Sequence, residues 1–260
     1  IAVFFGLGLI IMVVSYGRTR LGVGGLRGES MLVDLRDRIL SQGRIPKLPE
    51  GWYAARELRS AGGTAFAGDF VVAACADGRL DVAVVDVSGK GESAGTRALL
   101  LSGALGGLIA AVPHERFMTA ANDFLLRQEW DEGFATAVHL SVDLTTGSFA
   151  VRTAGHPPAA HFSSGSGRWS VLESSGPLLG LIDEAEFEPV VGQLAHGDAL
   201  LLYTDGLVET PGRDIMLGID RLLGQAERLL HGGMEGGAER LIETLGSRND
   251  DRALLLVHRR

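Results

Sequence analysis

Aspartates stand at the ends of four apolar runs in this chain. Asp69 lies in Gly68-Asp69-Phe70, just before the run at 71–74. Asp86 follows the run at 80–85 and opens Asp86-Val87-Ser88-Gly89-Lys90-Gly91. Asp205 follows Leu200-Leu201-Leu202-Tyr203-Thr204 and precedes Gly206. Asp250 and Asp251 precede Leu254-Leu255-Leu256-Val257. Carboxylate oxygens select hard cations such as Mg(II) or Mn(II). Two such ions about 4 Å apart can share a carboxylate, lower the pKa of a bridging water and clamp a phosphoryl oxygen. Aspartates that converge without cysteine or metal-spaced histidine therefore point to metal-assisted phosphoryl chemistry. A lone Asp-Gly carries less, because it is first of all a turn signal. The inference needs the four places to meet.

Other chemistries meet obstacles. Gly89-Lys90 resembles the end of a P-loop, but Val84 stands where the first glycine belongs and Gly91 where Ser or Thr belongs. Ser88 has Asp86 in place of the first glycine of a nucleophile elbow. The seven histidines include no His-Glu-x-x-His pair. A net charge of −8 argues against general nucleic-acid binding. The single cysteine, Cys75, excludes an intramolecular disulfide framework. Its apolar surroundings predict a buried thiol. His156, in Ala154-Gly155-His156-Pro157-Pro158, sits in a rigid loop that it either shapes or uses to contact substrate.

These residues need elements to position them. Hydrophobic residues are 46% of the chain, ample for a packed core. Strand patterns start at Trp52 and include 71–74 and 80–87, joined by the hairpin signal Asp77-Gly78. A buried helix is expected at 93–111 and an amphipathic one at 114–130. Strands follow at 134–142, 148–154, 159–162, 169–172, 186–191 and 199–204. Two helices fit 217–231 and 235–246, and a last strand fits 252–258. Strand blocks and helix pairs are segregated, which predicts an α+β fold with largely antiparallel sheets.

The N-terminal run at 1–16 is apolar, with Ser15 and Tyr16 at its end. A membrane span takes roughly 20 apolar residues. Residues 1–17 therefore read as the C-terminal part of a transmembrane helix. A buried helix or a signal peptide is the alternative, the latter lacking a basic n-region. Arg18, Arg20 and Arg27 follow with no acid before Glu29, which places the rest in the cytoplasm. Residues 18–48 read as a juxtamembrane basic segment and linker. Within it, Leu32, Leu35 and Ile39 recur near helical spacing over 29–43, as a dimerising helix or a solvated linker. Pro46 and Pro49 then break the chain, and the main domain is placed at 49–260.

The motifs together resemble one family. Gly68-Asp69-Phe70, Asp86 to Gly91, Ala154-Gly155-His156-Pro157-Pro158, Gly176-Pro177-Leu178-Leu179-Gly180, Tyr203 to Glu209 and Asp250-Asp251 occur in its order. The chain resembles the SpoIIE/RsbU-type branch of the PPM (type 2C) metal-dependent protein serine/threonine phosphatases. The resemblance implies an α-β-β-α sandwich of two mainly antiparallel sheets, with the metal site at one edge. It implies that Asp69, Asp86, Asp205 and Asp250 bind two Mn(II) or Mg(II) ions, with Asp86 bridging and the Val87 carbonyl adding a ligand. Asp251 is the ambiguous member of its pair. A metal-activated water, not a side chain, would attack the phosphoserine or phosphothreonine phosphorus. The helices after Asp86 resemble switch elements that couple regulatory input to metal binding. The implied substrate is a phosphorylated anti-sigma-factor antagonist of bacterial partner switching, acted on by a membrane-tethered enzyme. Two departures stand out. Val72 replaces a second carboxylate, and Arg252-Ala253 replaces a hydrophobic residue and threonine. Val72 favours the alternative, a catalytically weak scaffold of the same fold that binds a signalling partner.

Overall fold

Among the described residues, ten strands pair into two five-stranded antiparallel sheets. In this computed structural model the described residues are 34, 37–38, 41–61, 67–89, 92–130, 133–210, 212–246 and 250–260. The apolar run at 1–17 and the arginines at 18, 20 and 27 lie outside them. Residues 34, 37–38 and 41–42 are helical, within the stretch where the linker helix is expected. Arg38 Nε donates to Asp34 Oδ2 at 2.9 Å on an exposed face.

The unit over residues 39–260 carries the sheets. One sheet has the order β1 (Trp52–Arg59), β10 (Arg252–Arg259), β9 (Ala199–Tyr203), β6 (Ala160–Ser163) and β7 (Arg168–Val171). The other runs β2 (Phe70–Ala76), β3 (Arg79–Val87), β4 (Ala135–Asp143), β5 (Ser148–Ala154) and β8 (Val190–Gln193). Helices α1 (Glu92–Ala111) and α2 (Phe117–Leu126) cover the β2–β8 sheet, and α3 (Ile215–Gly232) and α4 (Gly237–Thr244) cover the other. The architecture is the expected α+β arrangement in four layers.

Side-chain alternation shows how the layers are filled. On β3, Leu80, Val82 and Val84 face the other sheet, while Ala83, Val85 and Val87 face α1 and α2. On β9, Leu200 and Leu202 point into the same central layer, while Ala199, Leu201 and Tyr203 face α3 and α4. On β10, Ala253, Leu255 and Val257 are central. The central strands β3, β4, β9 and β10 are covered on both faces, so they read as largely apolar runs. The β2–β3 hairpin turns on Asp77 and Gly78, whose φ angles of 51° and 75° suit a two-residue turn that follows the strand twist.

Several details differ from expectation. Cys75 is exposed, not buried, because the apolar run continues past the core to the hairpin end. Helix α1 buries one face through Ala98, Leu101, Leu105 and Ile109, while Leu100 is 45% exposed. By length and composition α1 could cross a membrane, yet this face packs on a sheet. Helix α2 begins only at Phe117, since Pro113 and a turn from Arg116 N to Pro113 O precede it. Helix α3 begins earlier, at Ile215, where the Asp214 carboxylate accepts from Met216 N at 2.9 Å and caps the helix. The eighth strand is Val190–Gln193, so only its first residues coincide with the expected 186–191.

Candidate metal centre

Strand alternation carries the aspartates to one place. Asp69 shares the face of Val71, Asp86 that of Val84, and Asp251 that of Ala253; all are faces of the central layer. Within each sheet the antiparallel register puts the start of β2 beside the end of β3 and the end of β9 beside the start of β10, and hydrogen bonds from Thr204 to Asp69 and from Gly68 to Asp251 bring the two pairs together. Asp205 and Asp250 stand just beyond the strand ends, Asp205 opening a short 3-10 turn over Asp205–Leu207. Gly206 is needed in that turn, because a Cβ there would lie 2.0 Å from the Asp251 carbonyl oxygen. The Val87 carbonyl is close by, 3.2 Å from where a Cβ on Gly68 would sit.

Thr204 ties the two sheets together here. It is fully buried. Its hydroxyl donates to Asp69 Oδ2 at 2.7 Å and accepts from Ala253 N at 2.8 Å. Thr204→Val is expected to lower stability by about 1–3 kcal/mol, because a buried amide and a buried carboxyl each lose a partner. Urea denaturation of the two proteins measures this. Asp251 has a different task from its neighbours. Its Oδ1 accepts from Ala61 N at 2.7 Å and its Oδ2 from Gly68 N at 2.6 Å. Asp250 Oδ1 in turn accepts from Asp251 N at 3.1 Å.

Two of the carboxyls, Asp69 and Asp86, are raised above the ordinary carboxylate range. Burial, then the repulsion of Asp86, holds the Asp69 carboxyl well above the usual range, against the Thr204 hydrogen bond. Asp251 and Asp205 add to that repulsion. Asp86 is pushed up to about 6 by burial and by Asp205, with smaller contributions from Asp250 and Asp251. No arginine or lysine is among these influences. Among the described residues no three acidic, histidine or cysteine side chains stand in a ready cage for an ion. The chemistry of the donor set nevertheless fits divalent cations: hard oxygens, with Asp69 buried and the others half-buried beside it.

His156 does more than shape its loop. The ring is 7% exposed and bridges the two sheets. Its Nε2 lies 3.1 Å from the Tyr203 carbonyl on β9, and its Nδ1 2.8 Å from Thr136 Oγ1 on β4. The carbonyl can only accept, so Nε2 carries the proton and the Thr136 hydroxyl donates to Nδ1. Thr136 is the register partner of Asp86, and Tyr203 lies two residues before Asp205. Burial pushes the imidazole down to about 3, so it is neutral. Sequence reasoning had no signal for this bridge.

The two departures are also placed. Arg252 Nη1 donates to the carbonyls of Ile242 and Leu245, each at 3.0 Å, at the C-terminal end of α4. That is a helix-end role for a cation. Val72 is fully buried among the residues facing α1.

The family is established by comparison. The model of the family described as Stage II sporulation protein E (SpoIIE) matches residues 76–260. The chain belongs to this family, the RsbU/SpoIIE type of PP2C-type serine/threonine phosphatases. Among curated relatives, phosphoserine phosphatase RsbU of Bacillus subtilis is 24% identical over 131 residues, which are 50% of this chain and 39% of RsbU. Phosphoserine phosphatase RsbP of the same organism is 32% identical over 76 residues, 29% of this chain and 19% of RsbP. The matches thus span well under half of those relatives. Among solved structures, the RsbU and RsbW domains of Rv1364c from Mycobacterium tuberculosis align with TM-score 0.72 and 31% identity, over 83% of this chain and 62% of that one. The PP2C phosphatase domain of SpoIIE with a regulatory fragment, from Bacillus subtilis, aligns with TM-score 0.68 and 20% identity, over 80% of this chain and 63% of that one. The catalytic domain of the phosphatase PstP, solved with two manganese ions, shares the fold at TM-score 0.57 and 17% identity, over 80% of this chain and 97% of that one.

Proposed function

We propose that this chain is a metal-dependent protein serine/threonine phosphatase that hydrolyses phosphoserine or phosphothreonine with water as the nucleophile. The observation that carries the reading is the hydrogen-bonded convergence at one end of the inter-sheet layer, where Thr204 joins Asp69 to the start of β10 and Asp251 holds Gly68 beside Asp69. In this reading Asp69, Asp86, Asp205 and Asp250 would hold two Mn(II) or Mg(II) ions, and the Val87 carbonyl would add a further oxygen. When bound, the ions supply an activated water and polarise the phosphoryl oxygens. Asp251, with both oxygens on backbone amides, would hold Ala61 and Gly68 in place. Thr204 orients Asp69. The Thr136–His156 bridge keeps β4, which carries the partner of Asp86, against β9, which leads to Asp205. No side chain is needed as nucleophile.

The substrate and setting go further. RsbU and RsbP, phosphoserine phosphatases by name, support a phosphorylated regulatory protein as substrate, of the anti-sigma-factor antagonist type. The apolar run at 1–17 supports a membrane tether with the catalytic domain in the cytoplasm.

The test is hydrolysis of p-nitrophenyl phosphate by the 260-residue chain in mild detergent, with Mn(II), with EDTA, and for Asp205→Asn. Activity that needs Mn(II) and fails in the variant is the expected result. Absent activity, with no calorimetric heat of Mn(II) binding, would leave only the scaffold of the same fold.

A further inference from the structure

Beside Asp205 the surface falls into a cleft of about 400 Å³. Its charged lining is Asp205, Glu209 and Arg213, and its apolar lining is Pro157, Pro158 and Ile215. The charges are graded along the chain. The acids belong to the segment that starts at Asp205, with Glu209 N bonded to the Asp205 carbonyl. The cation stands at the other end, immediately before α3. Arg213 is exposed, and its guanidinium has no hydrogen bond or ion pair among the described residues. The apolar lining also continues outward: Ile215, Met216 and Leu217 are 37%, 48% and 62% exposed. Consecutive exposed apolar residues at the rim of a cleft mark an interaction surface.

The cleft is built on fixed parts. The first turn of α3 abuts the segment after Asp205 so closely that a Cβ on Gly218 would lie 1.8 Å from the Val208 carbonyl oxygen. Asp214 caps the helix. Thr136 and His156 also line the cleft, and their hydrogen bonds hold that wall to both sheets. Arg213 is therefore anchored at a set place relative to the aspartates, although its head is free.

We propose that this cleft is the subsite for the polypeptide flanking the phosphorylated residue, with Arg213 pairing with a substrate carboxylate and Pro157, Pro158 and Ile215 covering an apolar side chain. The proposal rests on the phosphatase reading and adds a sequence preference to it. The phosphoryl group takes the aspartate end of the cleft. Glu209 disfavours an acid immediately beside it. An acid further along meets Arg213, whose guanidinium attracts negative charge. A lysine at that position meets the same group unfavourably.

The test compares the full chain with Arg213→Glu in Mn(II), on phosphoserine peptides that differ only in carrying Asp, Ala or Lys in the flanking positions. The readout is the kcat/KM of the Asp peptide divided by that of the Lys peptide. This ratio cancels any general loss of folding or metal binding. We expect about fivefold for the wild type, the upper end for one exposed charge pair, and a value below one for Arg213→Glu. An equal ratio in the two proteins overturns the proposal. Saturation-transfer NMR on the dephosphorylated peptides needs no turnover. The apolar side-chain protons of the Asp peptide should receive saturation from the wild type and less from Arg213→Glu. If the chain hydrolyses nothing, the phosphatase reading fails and the NMR still decides the cleft: equal transfer to Asp and Lys peptides, or none to either, overturns it.

Discussion

Asp86→Asn is expected to reduce metal-dependent hydrolysis about a thousandfold, the counterpart of several kcal/mol of transition-state stabilisation. A structural defect would produce the same loss, so the metal-free protein supplies the sharper result. In EDTA the variant is expected to be more stable than the wild type at pH 7.5. The Asp86 carboxyl is raised to about 6 in the folded chain by burial and by Asp205, whereas an unfolded aspartate titrates near about 3.9. The folded state thus holds this proton more tightly. Folding of the wild type carries the full penalty above pH 6, and regains stability as pH falls from 6 toward 4. Asparagine cannot ionise and escapes the penalty. The variant's advantage should be about 2–3 kcal/mol at pH 7.5 and should vanish near pH 4. Urea midpoints of both proteins at the two pH values measure it. His156 titrates over an overlapping range, but it is common to both proteins and drops out of the difference. Equal midpoints at pH 7.5 would mean that Asp86 does not feel its neighbours, and the shared metal site would lose its physical basis.

The aspartates were legible in the sequence because their meeting needs little more than strand ends. Each marks the end of an apolar run, and alternation puts Asp69, Asp86 and Asp251 on the central face. The layers were less legible. Helices cover one face of each sheet and the other sheet covers the second, so β3 and β9 show no polar alternation to reveal which residues face which way. Cys75 misled for a related reason: an apolar run shows where a strand lies, not where its burial stops. Arg252 looked like a change at the site, yet its guanidinium reaches the carbonyls ending α4. That contact depends on the packing of α4 beside β10, which no local pattern encodes. The 209–217 segment was invisible for the opposite reason. Its value lies in exposed side chains beside Asp205, and exposure leaves no periodic trace.

The residue with the greatest unforeseen leverage is His156, and His156→Ala is expected to destabilise the domain by about 3–5 kcal/mol at pH 7.5, as for loss of a large buried ring with its hydrogen bonds. The substitution opens a cavity and strands two buried groups, the Tyr203 carbonyl and the Thr136 hydroxyl. Thr136→Val removes only one of the two bonds and should lose about 1 kcal/mol, so the pair separates ring packing from bridging. The pH dependence runs opposite to that of Asp86. Burial holds the folded imidazole near 3, while an unfolded histidine binds its proton below about 6.5. The contribution of His156 is therefore complete above pH 6.5 and is lost as pH falls from 6.5 toward 3. The gap between wild type and His156→Ala should narrow steadily over that range in urea denaturation. The same neutral ring cannot serve as a proton donor at neutral pH, so kcat should show no limb from His156 between pH 5 and 9. A gap that stays constant from pH 7.5 to 4 would mean that the ring is wet and exchanging protons, and the bridge between β4 and β9 would then not hold the two aspartate-bearing sheet edges together.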